Sequence, residues 1–105
     1  MVGLPNAAVY CTSKGAVNMM TKVLALEWAQ FSINVNSVAP TFVYTPGTAP
    51  ILDDPRTRDE VLAKIPLGVL GVTDDVAGAV IYLASAASRL VTGTVLVVDG
   101  GWTSQ

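Results

Sequence analysis

Tyr10 and Lys14 are the residues of this chain whose types and spacing most clearly suggest chemistry. Side chains four residues apart on a helix lie on the same face, with Cβ atoms about 5–6 Å apart. An ammonium ion beside a phenol favours the ionised form, so such a tyrosine can donate or accept a proton near neutral pH. The same pair also occurs on ordinary amphipathic helices, where it only forms a solvated surface. The spacing by itself leaves both interpretations open.

The other reactive side chains indicate less. The chain has one cysteine and no histidine, which excludes an internal disulfide framework and a histidine-based triad and argues against a zinc site. Cys11 is interpreted as a small packed residue, the alternative being a reactive thiol. Asp99 precedes two glycines and is interpreted as a turn former rather than an acid catalyst. Four further carboxylates are interpreted as helix-start charges, so no metal site is predicted: Asp53, Asp54, Asp74 and Asp75.

A long helix must carry Tyr10 and Lys14. The sequence from about Ala7 to Gln30 lacks proline and is rich in alanine, leucine and methionine, which favours one helix. Apolar residues surround most of it, and Lys14, Asn18 and Lys22 form a narrow polar stripe. A helix that is apolar nearly all round is buried on several sides.

The rest of the chain alternates between strand and helix signals. The predicted elements are a strand Ile33–Ala39 ended by Pro40, a loop Thr41–Asp53, a helix from Asp54-Pro55 to about Lys64, a helix capped by Thr73, and a strand Thr94–Val98. The last strand is apolar on both faces, as in a parallel sheet. This order predicts an α/β fold. Two strands cannot cover these helices, so the sheet is expected to be incomplete.

Composition narrows the possible partners. The chain is 51% hydrophobic and 13% charged, with net charge −2, which excludes disorder and argues against binding to nucleic-acid phosphates. The uncharged segments are interrupted by proline or are shorter than the ~20 residues that a membrane span needs, and no signal peptide is visible. A lone cysteine suits a reducing compartment, so a cytoplasmic location is predicted. The remaining explanation for the low charge is an apolar surface that meets another protein surface, as in a homo-oligomer.

A series of short motifs resembles the short-chain dehydrogenase/reductase family. Tyr10–Gly15 (YCTSKG) matches the YxxxK active-site helix of that family, and Pro40–Thr45 (PTFVYT) is similar to its P-G-x-[IV]-x-T segment. Further matches follow in the family's order: Asn36–Pro40, Ile65–Gly68, Asp75–Ala77, Leu83–Ser85, Thr92–Gly93 and Val98–Gly101. Each motif is weak alone, but together they extend over nearly all 105 residues.

The resemblance implies a fold and an activity. Residues 1–105 would form the C-terminal portion of a Rossmann-type doubly wound parallel sheet, with the glycine-rich half that holds the dinucleotide phosphates lying before Met1. The activity would be NAD- or NADP-dependent interconversion of a small-molecule alcohol and a carbonyl compound. Tyr10 would be the general acid/base, and Lys14 would bind the nicotinamide ribose and favour the ionised form of Tyr10. The Val43 backbone and the Thr45 hydroxyl would hold the nicotinamide carboxamide, and residues 45–68 would form a substrate lid.

Two departures from the family pattern and one alternative function accompany this interpretation. Thr41 stands where the family usually has glycine, so a positive φ there would shift the loop. Val69 stands where an arginine is common. The alternative is a catalytically inactive, self-associating fragment with a structural or oligomerisation role.

Overall fold

The computed structural model describes residues 5–105, which form two compact units. The first unit contains the described residues up to Ser37 together with Tyr82–Leu96. The second contains Val38–Ile81 and Val97–Gln105. Tyr10 and Lys14 therefore belong to the first unit, and Val43 and Thr45 to the second.

Helix α1 (Ala8–Trp28) dominates the first unit. It begins and ends within two residues of the predicted bounds, and its last turn tightens into a 3₁₀ turn at Ala29–Phe31. Only Thr21 and Ala25 of α1 are buried. A Cβ on Gly93 would lie 3.4 Å from the Ala25 side chain, so the loop before the second strand packs directly on the helix. A helix that is apolar nearly all round is expected to be buried on several sides, but the described residues cover little of α1.

Two parallel strands, β1 (Ser37–Pro40) and β2 (Val95–Val98), form the sheet of residues 5–105. The N–H of Ser37 donates to Thr94 O at 3.0 Å, and the N–H of Thr41 donates to Val98 O at 3.1 Å. The strand predicted to begin at Ile33 begins at Ser37 instead. Before Ser37, hydrogen bonds of the Asn36 side chain take the place of backbone hydrogen bonds between the strands. Asn36 Nδ2 donates to Val91 O at 2.9 Å, and Asn36 Oδ1 accepts from Thr94 N–H at 3.1 Å.

The second unit contains two short helices, α2 (Ala49–Leu52) and α3 (Pro55–Ala63). Helix α3 starts as predicted, because Asp54 accepts a hydrogen bond from Arg56 N–H at 3.2 Å and Pro55 occupies the first turn. Helix α2 lies inside the segment predicted to be a loop, because a proline in the first turn is compatible with a single helical turn.

Helix α4 (Thr73–Ala84) follows, and its start differs in detail from the prediction. Thr73 is the first helical residue rather than the cap. The Asp75 side chain caps the start of the helix, since its Oδ2 accepts a hydrogen bond from Val72 N–H at 2.7 Å. A carboxylate in the first turn is also favoured by the helix dipole.

The chain ends in a turn organised by Asp99 after β2. Its carboxylate accepts from Gly101 N–H, from Thr103 N–H and from the Thr103 hydroxyl, the last at 2.6 Å. The Thr103 hydroxyl bond is the main reason that the pKa of Asp99 lies below its usual value. The interpretation of Asp99 as a turn former is confirmed.

Little apolar side-chain surface is buried in residues 5–105. The buried apolar residues are Ala25 in the first unit and Leu52 and Ile65 in the second. On α1, by contrast, Met19 is 60% exposed and Leu26 is 81% exposed. Among the helices described, none combines the length and apolarity needed to cross a bilayer.

Candidate active site

Tyr10 and Lys14 lie on the same face of α1, as their spacing predicts. Lys14 Nζ is 5.4 Å from the centroid of the Tyr10 ring, which is within the range of a cation–π contact. Tyr10 is 59% exposed and borders an open depression of about 780 Å³, which the first turn of α1 also lines. The nearby Ser13 hydroxyl donates to Tyr10 O at 2.7 Å and so is directed to the backbone. Within the part of the chain that the structure describes, the Tyr10 side chain is therefore largely exposed.

Lys14 has no ion-pair partner among residues 5–105. Among residues 5–105 the one ion pair joins Arg56 and Glu60 on the exposed side of α3, so no carboxylate there neutralises Lys14. No residue of that range hydrogen-bonds the Tyr10 hydroxyl. The pair thus presents a phenolic O–H and an ammonium ion, both able to bind oxygen atoms of a ligand.

Val43 and Thr45 lie in the loop after β1, held by an isolated parallel bridge between Val43 and Gly71. Gly71 N–H donates to Phe42 O at 3.1 Å, and Tyr44 N–H donates to Gly71 O at 2.8 Å. The two segments pack closely, since a Cβ at position 71 would lie 3.4 Å from the Val43 side chain. The bridge uses the flanking peptide groups, and it leaves the N–H and C=O of Val43 directed away from Gly71.

Thr48 connects Val43 with Thr45. Its hydroxyl donates to Val43 O at 2.8 Å and accepts from Thr45 N–H at 2.9 Å. The hydroxyl oxygens of Thr45 and Thr48 are 3.3 Å apart. No family motif in the sequence points to Thr48; its one sequence signal is a threonine shortly before a proline-containing helical turn.

The left-handed backbone of this loop is at Phe42 and not at Thr41. Phe42 has φ 53°, while Thr41 does not have a positive φ. The Phe42 ring packs edge-on against Trp102, with centroids 5.2 Å apart and planes at 64°. An aromatic contact of this type offsets the cost of a bulky residue in the left-handed region. The expected problem at Thr41 therefore does not arise, because the next residue takes the unusual conformation.

Val43 and Thr45 border an apolar groove of about 530 Å³ within the second unit. One side of the groove is the loop after β1, and the other is helix α4. Besides the two loop residues, its lining comprises Pro40, Thr73, Val76, Ala77, Val80 and Ile81. Such a groove suits the face of a flat ring, and the two loop residues supply polar groups at its margin.

Tyr44 and Asp53 form a second side-chain hydrogen bond in this loop. Sequence patterns do not predict this bond. The Tyr44 hydroxyl donates to Asp53 Oδ1 at 2.7 Å. That hydrogen bond, strengthened by the negative charge of Asp53, raises the pKa of Tyr44 above its usual value. Two residues nine positions apart in a loop have no periodicity that would predict the contact.

The segment predicted as a substrate lid contains α2 and α3. Of its apolar residues, Ile65 is 4% exposed and belongs to the core, while Ile51 is exposed. Within the described residues, Ile65 therefore packs in the core and does not line a substrate cavity. Residues 5–105 contain no cluster of three or more histidine, cysteine, aspartate or glutamate side chains able to hold a metal ion.

Known proteins resemble this chain over nearly its whole length. A family model described as enoyl-(acyl carrier protein) reductase matches residues 1–103. The chain is 46% identical to 2-dehydro-3-deoxy-D-gluconate 5-dehydrogenase of Bacillus subtilis, over 91% of this chain and 38% of that protein. It is also 46% identical to 3beta-hydroxysteroid dehydrogenase 1 of Eggerthella lenta, over 94% of this chain and 38% of that protein.

A solved structure extends the likeness to the fold. The gluconate 5-dehydrogenase of Burkholderia cenocepacia, in complex with NADP and tartrate, superposes with a TM-score of 0.92 at 40% identity, covering 99% of this chain and 41% of that one. The chain thus spans about two fifths of the length of the relatives that it matches. The α/β fold class is confirmed, and the chain belongs to the short-chain dehydrogenase/reductase family.

Proposed function

We propose that this chain supplies the proton-transfer residues of an NAD- or NADP-dependent oxidoreductase that interconverts an alcohol and a carbonyl compound. The observation that carries the proposal is the pairing of Tyr10 with Lys14, whose ammonium is 5.4 Å from the phenol ring on an exposed helix face. Family membership supports it. In this proposal Tyr10 exchanges a proton with the substrate oxygen, with the Lys14 ammonium held beside its ring.

The nicotinamide cofactor, when bound, accepts or supplies the hydride. Lys14 would bind the ribose hydroxyls, and the Val43 backbone and Thr45 hydroxyl would hold the carboxamide. The loop fits a ligand amide because, among residues 5–105, none accepts a hydrogen bond from Val43 N–H.

We propose that residues 1–105 act as the C-terminal part of a Rossmann-type domain. They contain no G-x-G-x-x-G after a strand, the motif that holds a dinucleotide pyrophosphate. The pyrophosphate would then be held by residues outside this range. A single free cysteine suits the cytoplasm as the place of action.

The substrate would be a small hydroxy compound or its ketone. The relatives named above are dehydrogenases of a deoxygluconate derivative, a steroid and gluconate. Gluconate and a simple secondary alcohol therefore form a suitable first panel. We also propose a homo-oligomer, since the exposed apolar side chains of α1 resemble an uncovered interface.

Tyr10→Phe tests the proposal in the protein in which this chain occurs. The substitution removes the transferable proton and keeps the ring beside Lys14, so kcat should fall about 10²–10⁴-fold while the affinity for NAD or NADP stays nearly unchanged. The measurement is steady-state turnover of the panel, with cofactor binding followed by fluorescence. The matched control is Tyr82→Phe, which removes the hydroxyl of an exposed tyrosine on α4. Turnover that survives Tyr10→Phe within a factor of ten would contradict the proposed role.

A structural, self-associating role is the second candidate. The exposed Met19 and Leu26 on α1 favour it independently of the Tyr10–Lys14 pair. It predicts an oligomer that lacks turnover with every member of the panel and that Tyr10→Phe leaves unchanged.

A further inference from the structure

The Thr48 hydroxyl lies at the centre of the loop that carries Val43 and Thr45. Thr48 is half-buried, and its hydroxyl contacts both of those residues at 2.8–2.9 Å. A hydroxyl group has one proton to donate and two lone pairs to accept with. Val43 O lies 2.8 Å from the Thr48 oxygen and Thr45 O lies 3.3 Å from it, so Val43 O is the nearer acceptor of that proton, and Thr45 N–H bonds a lone pair of the same oxygen.

The same bonds restrict the Thr45 side chain. Thr45 Oγ1 accepts from Thr48 N–H at 3.3 Å and lies 3.3 Å from Thr48 Oγ1. With the Thr48 proton directed to Val43 O, the Thr45 hydroxyl can donate to Thr48 Oγ1 or to a ligand. Thr48 therefore influences both the rotamer of Thr45 and the direction of its O–H.

Part of this arrangement is a capping box, in which Thr45 Oγ1 accepts from Thr48 N–H and Thr48 Oγ1 accepts from Thr45 N–H. Capping does not account for the hydrogen bond from the Thr48 hydroxyl to Val43 O. Thr48 precedes α2 and occupies its N-cap position, yet its side chain makes no hydrogen bond to the helix N–H groups. The backbone carbonyl of Thr48 is what the helix uses, accepting from Ile51 N–H at 3.0 Å and from Leu52 N–H at 2.9 Å. The hydroxyl is directed backwards to Val43 and Thr45 instead.

We propose that Thr48 is a positioning residue that sets the Val43 peptide and the Thr45 hydroxyl through its own hydroxyl. The inference rests on the proposed function, in which those two groups hold the nicotinamide carboxamide. With its carbonyl engaged by Thr48, Val43 offers its N–H as the free backbone group of the pair. The loop is thereby arranged to donate to a ligand oxygen before any ligand arrives.

Amide hydrogen exchange and side-chain couplings in the ¹⁵N-labelled 105-residue chain test the inference. In Thr48→Val the Thr45 amide should exchange about tenfold faster, because its acceptor is lost, and the Thr45 χ1 coupling should become rotamer-averaged. Amides of α3 should keep their wild-type rates. Thr48→Ser retains the hydroxyl and should restore both Thr45 signals.

Thr57→Val is the matched control. Its hydroxyl donates to Asp54 Oδ2 at 3.0 Å at the start of α3 and touches neither Val43 nor Thr45, so the Thr45 signals should not change. If Thr48→Val does not fold, Thr48→Ala and Thr48→Ser give the same comparison. Unchanged Thr45 exchange and coupling without the hydroxyl would overturn the inference, as would an equal loss of protection throughout residues 38–81.

A titration with nicotinamide mononucleotide separates this inference from the proposed function. Shifts at Val43 and Thr45 are expected in the wild type and in Thr48→Ser, and should be lost in Thr48→Val. Wild-type shifts that persist in Thr48→Val would overturn the positioning role. If the wild type itself shows no shift, the carboxamide assignment fails, and the exchange data still decide whether Thr48 positions Thr45.

Discussion

Tyr44 is held to Asp53 by one exposed side-chain hydrogen bond, and this contact makes the loop sensitive to alkaline pH. The bond raises the pKa of Tyr44, because ionising the phenol would remove a donor and place two negative charges together. For a group whose pKa is raised on folding, the stabilisation is present below the unfolded value of about 10 and is lost as pH rises through the folded value.

Asp53→Asn should therefore lower the pKa of Tyr44. The measurement is the ultraviolet absorbance titration of phenolate, taken as the difference between each protein and its Tyr44→Phe version, which isolates one of the three tyrosines. Asp59→Asn, on exposed α3, is the control and should not alter the Tyr44 titration. A Tyr44 titration that Asp53→Asn leaves unchanged would show that the hydrogen bond does not form in solution.

At the scale of elements, two glycines in different settings should respond oppositely to alanine. Gly100 has φ 63°, and a Cβ there would lie 2.6 Å from Cγ2 of the buried Ile65. Gly78 lies inside α4, with no atom within 4 Å of the position of an added Cβ. Strain and overlap oppose the first substitution, while the loss of backbone entropy in the unfolded chain favours the second.

Gly100→Ala should consequently lower the free energy of unfolding by more than ~2 kcal/mol, and Gly78→Ala should raise it by about 0.5–1 kcal/mol. Urea denaturation followed by circular dichroism measures both changes. Gly78→Ala is the control, because it makes the same substitution at a position where an added Cβ meets no other atom. Equal effects at the two positions would contradict the close packing of the turn after β2 on Ile65.

At the scale of the whole molecule, exposed apolar surface predicts self-association. Leu26 and Met19 on α1 are among many large apolar side chains that residues 5–105 leave in contact with solvent. Patches of this kind mark association sites or lead to aggregation. Light scattering of the 105-residue chain at micromolar concentration should therefore show a dimer or a larger species.

Leu26→Glu should shift the population towards monomer, since it places a charge on the apolar side of α1. Lys22→Glu changes the charge of the polar stripe of the same helix and should leave the association unchanged. A wild-type peak at 10.9 kDa with cooperative unfolding would show that the chain is stable as a monomer.

Cofactor binding by the 105-residue chain is the second prediction at this scale. The candidate contacts are all to the nicotinamide end, at Tyr10, Lys14, Val43 and Thr45. No glycine-rich turn before a helix is present to bind the pyrophosphate, which normally provides much of the recognition of a dinucleotide. Calorimetry should show no micromolar affinity for NAD or NADP; a micromolar dissociation constant would place a phosphate site within these residues.

Local features of the chain were predictable because their causes are local. Tyr10 and Lys14 share a face since the helix places every fourth residue on the same side. Asp54 and Pro55 start α3 because a side-chain acceptor and a fixed φ satisfy the first turn. The ordered motifs likewise indicated the family without any coordinates.

Contacts across a loop or between distant segments were decided only by the tertiary structure. Asn36 shortens β1 by bonding groups that lie more than 50 residues further along the chain. Phe42, and not Thr41, takes the left-handed conformation, since Trp102 is there to pack against it. The sequence by itself determined the Tyr10–Lys14 face and the family, because helix periodicity and ordered motifs are read along the chain. The structure decided the environment of Val43 and Thr45, because the Thr48 hydroxyl contacts them only once the loop has folded back on itself.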